Sequence, residues 1–187
     1  MTPRELIAQL EINPIIAAVH DHQFEAALAS PADVIFCLKA SILKIADQVN
    51  AAHVQGKCIF VHIDLADGVG KDRAGIEYLA SLGVDGIIST RTQLVRQAKE
   101  KGLIAVQRFF ALDSKGIESI SENLENCASD FIEIMPGVIG KIISRFSGGS
   151  IPVIAGGLIE TKKEVFSALE CGALAVSTGK CDLWYTE

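Results

Sequence analysis

Twice within thirty residues the chain repeats one device, a short apolar run that stops at a glycine turn. Residues 151–179 read IPVIAGGLIETKKEVFSALECGALAVSTG. Ile151 to Ala155 is nearly continuous in apolar character, the pattern of a parallel strand buried on both faces. Gly156-Gly157 ends that run. Thr161 then stands at an N-cap position with Glu164 three residues on, and Val165, Phe166 and Leu169 form the apolar stripe of a helix that Gly172 closes. Ala173 to Val176 is a second buried strand, stopped by Ser177-Thr178-Gly179. If both turns leave one sheet at the same end, their backbone N–H groups and two hydroxyls converge on a concavity suited to an anion. A single such turn reports only that a tight connection needs glycine; the pairing is what suggests phosphate.

The meaning of the pair depends on how many strands precede it. Apolar runs begin near positions 15, 34, 58, 86, 103, 131, 151 and 173, and helical periodicity separates them. Ile42, Ile45, Ala46, Val49 and Ala52, for example, recur at helical spacing and predict a helix over 41–55. Eight strands alternating with helices predict an α/β fold, a short TIM-like (β/α)8 barrel with an all-parallel sheet. The glycine turns then follow strands seven and eight, where barrels of this kind commonly build a phosphate site. At 187 residues the chain is short for such a barrel, so some connections are trimmed, foremost the one after the first strand; an open doubly wound sheet is the alternative.

Composition narrows the reading. With 49% apolar and 21% charged residues the chain can bury one sizeable core, and 1–187 is expected to form a single domain. No apolar run reaches membrane-spanning length and the N-terminus lacks a signal-peptide pattern, so a cytoplasmic protein with no membrane contact is expected. Seventeen Lys and Arg against 23 Asp and Glu give a net charge of −6, so nucleic acid would have to meet a local basic patch or a homo-oligomer that concentrates one. Five cysteines without a CxxC pair suggest buried thiols, with neither a disulfide framework nor a zinc site. No cofactor or metal signature stands out.

Alternation places the polar candidates. In the run 58–63 the wholly apolar row Ile59, Val61 and Ile63 should face the helices, leaving His62 and Asp64 toward the barrel axis or its mouth. In the run 131–135 Ile132 and Ile134 take the outer row, so Glu133 points inward and needs a cationic partner, for which Lys39 and Arg108 are available. The loop 66–75, LADGVGKDRAG with its preceding leucine, is a candidate lid or partner contact.

The segments HIDLADG (62–68), GIISTR (86–91), QRFFALDS (107–114), DFIEIMPG (130–137), IPVIAGGLIET (151–161) and GALAVSTG followed by LW (172–184) together resemble the bacterial glycerol-3-phosphate-responsive antiterminator family. The resemblance covers about Pro14 to Trp184. It implies a barrel that binds glycerol 3-phosphate, or a related small phosphate ester, and acts on a leader mRNA of glycerol-uptake genes to prevent transcription termination. Mapped on this chain, Gly156, Gly157, Ser177, Thr178 and Gly179 would hold the phosphate, with both hydroxyls donating and Arg108 supplying charge. Lys39, His62, Asp64 and Glu133 would complete the ligand site, the two carboxylates accepting from the glycerol hydroxyls. Lys71, Arg73, Arg91 and Arg96 would offer an RNA surface, unless they are an ordinary solvated face. Two rivals stand beside this reading: a barrel enzyme acting on a triose or sugar phosphate, with Lys39 as a possible Schiff-base lysine, and a plain phosphate-ester-binding protein. No convincing catalytic constellation supports the enzyme.

Overall fold

The computed structural model describes residues 1–124 and 128–186. Eight parallel strands close on themselves in sequence order: β1 Ile15–Val19, β2 Val34–Cys37, β3 Cys58–His62, β4 Gly86–Ser89, β5 Ile104–Phe110, β6 Phe131–Met135, β7 Val153–Gly156 and β8 Ala175–Thr178. Pairing of Ile15 to Ala17 with Val176 to Thr178 makes the closure and rules out the open sheet. Between strands lie α2 Phe24–Ala29, α3 Ile45–Val54, α4 Arg73–Ser81, α5 Thr92–Glu100, α6 Ser114–Leu124, α7 Gly140–Ser147 and α8 Lys162–Glu170, preceded by α1 Pro3–Ile12.

The core divides into two shells, as strand alternation dictates. Outward residues such as Ile59, Val61, Ile132 and Ile134 pack under the helices, whereas Ile16, Phe36, Phe60, Val106 and Phe131 fill the barrel interior. Leu6 and Leu10 of α1 belong to the inner shell, so this helix plugs the N-terminal mouth. A capping box between Thr2 and Glu5, with Pro3 at its first turn, starts α1. Room for Phe60 comes from Gly86 on the next strand, where a Cβ would collide with the Phe60 ring and the Ile104 carbonyl.

The chain is economical where expected and in one further place. After β1 there is only a 3-10 turn, Asp21–Gln23, and the six-residue α2; after β8 a single 3-10 turn, Cys181–Tyr185, replaces a helix. Trp184 anchors that turn by donating from its indole N–H to the Thr178 carbonyl at 2.8 Å. The helix predicted over 41–55 begins later, at Ile45, because Ser41 and Ile42 instead join Asp67 of the β3–α4 connection through backbone pairing. Cys37 and Cys58 are buried, with thiols pushed up to about 11 and about 12 by desolvation, whereas Cys171 and Cys181 are half-buried; Cys127 lies outside the described residues. No helix among the described residues is long and apolar enough to cross a membrane.

Candidate functional site

At the C-terminal mouth the inner shell changes from apolar to polar. Glu133 of β6 and Arg108 of β5 stand side by side in the sheet register, and the Arg108 Nε donates to Glu133 Oε2 at 2.5 Å. Both are buried, so removing one partner would leave the other charge uncompensated. Ser177 of β8 donates to the second carboxylate oxygen, Oε1, at 2.6 Å. Gly156 makes space for that cluster, since a Cβ there would run into Glu133 and the Ser177 hydroxyl.

These strand ends enclose a cavity of about 100 Å³, lined by Ala18, Leu38, Arg108, Glu133, Met135, residues 157–159 and residues 177–179. Two features equip it for an anion. Among the described residues the terminal nitrogens of Arg108 have no acceptor, and the backbone N–H groups of Gly157, Leu158 and Gly179 have none either. Gly157 adopts φ +75°, and Leu158 follows at φ +61° although it is neither glycine nor asparagine. Positive φ at two successive residues makes this a tight turn on the cavity wall, and turn backbone of this kind can form anion-binding concavities.

His62 completes the polar layer. It is 4% exposed, yet neither ring nitrogen finds a hydrogen-bond partner, the nearest being Asp64 Oδ2 at 3.7 Å from Nε2. Burial, reinforced by the Arg108 charge and opposed by Asp64 and Glu133, pulls its pKa down to about 4. The imidazole is therefore neutral at pH 7, with one donor and one acceptor to offer.

The structure redistributes several roles expected from sequence. Strand β8 runs through Thr178, two residues beyond the predicted end, so Ser177 and Thr178 point to opposite faces of the sheet. Ser177 serves Glu133, while the Thr178 hydroxyl donates to the Ile159 carbonyl at 2.9 Å and accepts from the Lys180 amide. Neither hydroxyl is thus a spare phosphate donor. Gly156 likewise belongs to β7, and its part is to make room for the cluster, with no amide in the turn.

Asp64 lies in the 3-10 turn Ile63–Leu65 and accepts from the Ser89 hydroxyl, the Thr90 hydroxyl and the Thr90 amide, the last at 2.7 Å. Its lone pairs hold the end of β4, and those of Glu133 hold Arg108 and Ser177, which leaves the two carboxylates little capacity for ligand hydroxyls. Lys39 is exposed, lacks an ion-pair partner among the described residues and lines a shallower hollow with His20 and Lys71. Among the described residues the cationic partner of Glu133 is Arg108 and not Lys39.

The basic residues singled out for RNA are mostly engaged. Arg73 pairs with Glu77 at 3.3 Å, Arg91 with Asp64 at 3.5 Å, and Lys71 Nζ donates to the Ala66 carbonyl, leaving Arg96 as the member of the four with no partner among the described residues. The candidate lid is also pinned, because Asp67 bonds Ala40 and Ile42 through the backbone. Sequence reasoning missed Ser89, Thr90 and Leu158. The Ser-Thr pair after a strand was a usable signal, whereas nothing in the sequence reported the left-handed backbone at Leu158.

Comparison with known proteins gives a consistent set. The model of the family described as glycerol-3-phosphate responsive antiterminator matches residues 15–184. A crystal structure of a glycerol uptake operon antiterminator regulatory protein from Listeria monocytogenes superposes with TM-score 0.88 at 32% identity, over 94% of this chain and 96% of that one. A glycerol uptake operon antiterminator-related protein from Thermotoga maritima superposes with TM-score 0.81 at 35% identity, over 91% and 96%. YgcP of Escherichia coli K12, a protein without an assigned function, is 31% identical over 182 residues, 96% of this chain and 95% of its own. Deoxyribose-phosphate aldolases share the fold alone, at 12% identity.

Proposed function

Because the chain belongs to the glycerol-3-phosphate-responsive antiterminator family, we propose that the cavity at the ends of β5 to β8 binds glycerol 3-phosphate and that occupancy controls the binding of a leader mRNA. The supporting observation is that one cavity is lined by a buried guanidinium and by three residues whose backbone amides, like the terminal nitrogens of that guanidinium, have no partner among the described residues. A phosphomonoester fits that set: its oxygens accept from the Gly157, Leu158 and Gly179 amides and from Arg108, in charge-assisted bonds stronger than neutral ones. Glu133 fixes the guanidinium so that it need not reorganise on binding.

The glycerol end requires neutral partners, and His62, in the same polar layer though outside the cavity lining, has both ring nitrogens without a partner among the described residues. A hydroxyl that both donates and accepts matches a neutral imidazole; a second phosphate would find no further cation on the cavity wall. The site therefore selects a phosphate ester carrying hydroxyls over inorganic phosphate or free glycerol. The cavity walls carry no lysine, and Lys39 lies in the neighbouring open hollow, so Schiff-base chemistry has no nucleophile at the bound ester. We read the protein as a ligand-controlled regulator acting without turnover, soluble in the cytoplasm.

Isothermal titration tests the reading. Glycerol 3-phosphate should bind, glycerol and inorganic phosphate should bind far more weakly, and the host's glycerol-uptake leader RNA should tighten the ester's binding by the same factor that the ester tightens the RNA's. Conversion of the ester during the titration would replace the regulator by an enzyme. Absence of ester binding would remove the phosphate site.

A further inference from the structure

We infer that the RNA surface lies on the β5–β8 half of the C-terminal rim, on Lys115, Lys141, Lys162 and Lys163, and that the β7–α8 loop couples it to the effector cavity. This rests on the regulatory reading above and locates the second partner of the same site.

The two halves of the rim hold their cations differently. On the β1–β4 half Lys44 is paired with Asp21, Arg73 with Glu77 and Arg91 with Asp64, and Lys39 stands without an ion-pair partner among the described residues. On the other half α6, α7 and α8 each place lysine within the first two residues, at Lys115, Lys141 and Lys162-Lys163, all exposed and without an ion-pair partner among the described residues. Because each helix leaves the C-terminal end of its strand, and β5, β6 and β7 are neighbours, the four lysines share one sector of one face. Their helices would be more stable with acids at these positions, since a cation opposes the positive end of the helix dipole. A disfavoured choice made three times in succession is the kind of local conflict that function explains.

Several carboxylates nearby are committed elsewhere: Asp113 caps Gly116, Glu164 closes the capping box of α8, and Glu160 pairs with Lys180, leaving Glu118, Glu122 and Asp182 without an ion-pair partner among the described residues. Apolar groups complete the surface. Phe110 is 47% exposed and Leu112 80% exposed at the end of β5, and Leu158 is 70% exposed beside the cavity. An exposed phenyl ring among lysines is suited to unpaired bases and their phosphates. The coupling follows from the chain itself, because the loop whose Gly157 and Leu158 line the effector cavity runs five residues on into Lys162-Lys163.

The test measures binding of the host's glycerol-uptake leader RNA to the full chain with saturating glycerol 3-phosphate, from 50 to 200 mM salt. Four phosphate contacts predict a log–log slope of roughly −3, about a 60-fold loss across that range. The variant Lys115→Gln/Lys141→Gln/Lys162→Gln/Lys163→Gln should bind glycerol 3-phosphate as the natural chain does, bind RNA more than tenfold more weakly at 50 mM, and lose most of the slope. If that variant binds RNA normally and Lys71→Gln/Arg73→Gln/Arg91→Gln does not, the location is wrong while the regulatory reading stands. If the natural chain binds the ester but no RNA, RNA as the partner falls; binding of purified RNA polymerase that the four-lysine variant loses would then give this surface to a protein.

Discussion

The two ends of the barrel interior are built from opposite chemistry. The N-terminal end is closed by Leu6 and Leu10 over Phe36, Phe60 and Phe131, a shell whose members need only fit. The C-terminal end holds Arg108, Glu133, His62 and Ser177, polar groups as deeply buried as the apolar ones below them. Apolar packing at one end stabilises the closed sheet, and that stability tolerates a charged cluster at the other. The contrast also separates effects in mutants: changes at the N-terminal end should move stability alone, while changes at the C-terminal end should move ligand affinity as well.

Breaking the charged cluster should have the largest effect. Glu133→Leu leaves Arg108 buried and unpaired, a loss of about 3–5 kcal/mol of stability by analogy with other severed buried pairs, and should abolish measurable glycerol 3-phosphate binding in calorimetry. The matching cut at the other end is Leu10→Ala, expected to reduce unfolding free energy by about 2–5 kcal/mol. In urea titrations the midpoint should drop, yet the ester's Kd should stay within about twofold, for a difference well under 1.4 kcal/mol. A large change in Kd for Leu10→Ala would dissolve the separation of the two ends.

His62 gives a pH-dependent version of the same comparison. Its imidazole has a pKa near 6.5 when unfolded and about 4 when folded. As pH falls through 6.5 the unfolded chain takes up the proton first, so stability declines between about pH 6.5 and 4 and levels off below, by up to about 3 kcal/mol. His62→Gln should flatten that segment of the stability profile and weaken ester binding. An unchanged profile would show that another group titrates there. The smallest change is Thr161→Ala, which deletes the α8 N-cap whose hydroxyl accepts from the Glu164 amide at 3.3 Å. A loss of about 1 kcal/mol is expected, with a modest weakening of the ester if the β7–α8 loop carries the effector's amides; an unaltered Kd would detach the cap from the site.

The sequence by itself determined the strand order, the facing of the strands and the inward carboxylate of Glu133 with Arg108 as a candidate partner; the buried Lys57 it did not report. Apolar runs of strand length mark where backbone can be buried on both faces, and period-two alternation sent Ile132 and Ile134 outward and Glu133 inward before any coordinates were needed. Family membership was legible too, because six ordered segments rarely recur together by accident.

Tertiary structure alone decided which polar atoms remain free. Asp64 read as a ligand acceptor until Ser89 and Thr90 were found to occupy it, and Ser177 and Thr178 read as donors until two more residues of β8 turned them to opposite faces. Arg73 and Arg91 read as free cations until Glu77 and Asp64 were found beside them. Periodicity reports burial, which each residue carries in its own chemistry; hydrogen bonding depends on the partner that the fold brings across from a distant part of the chain.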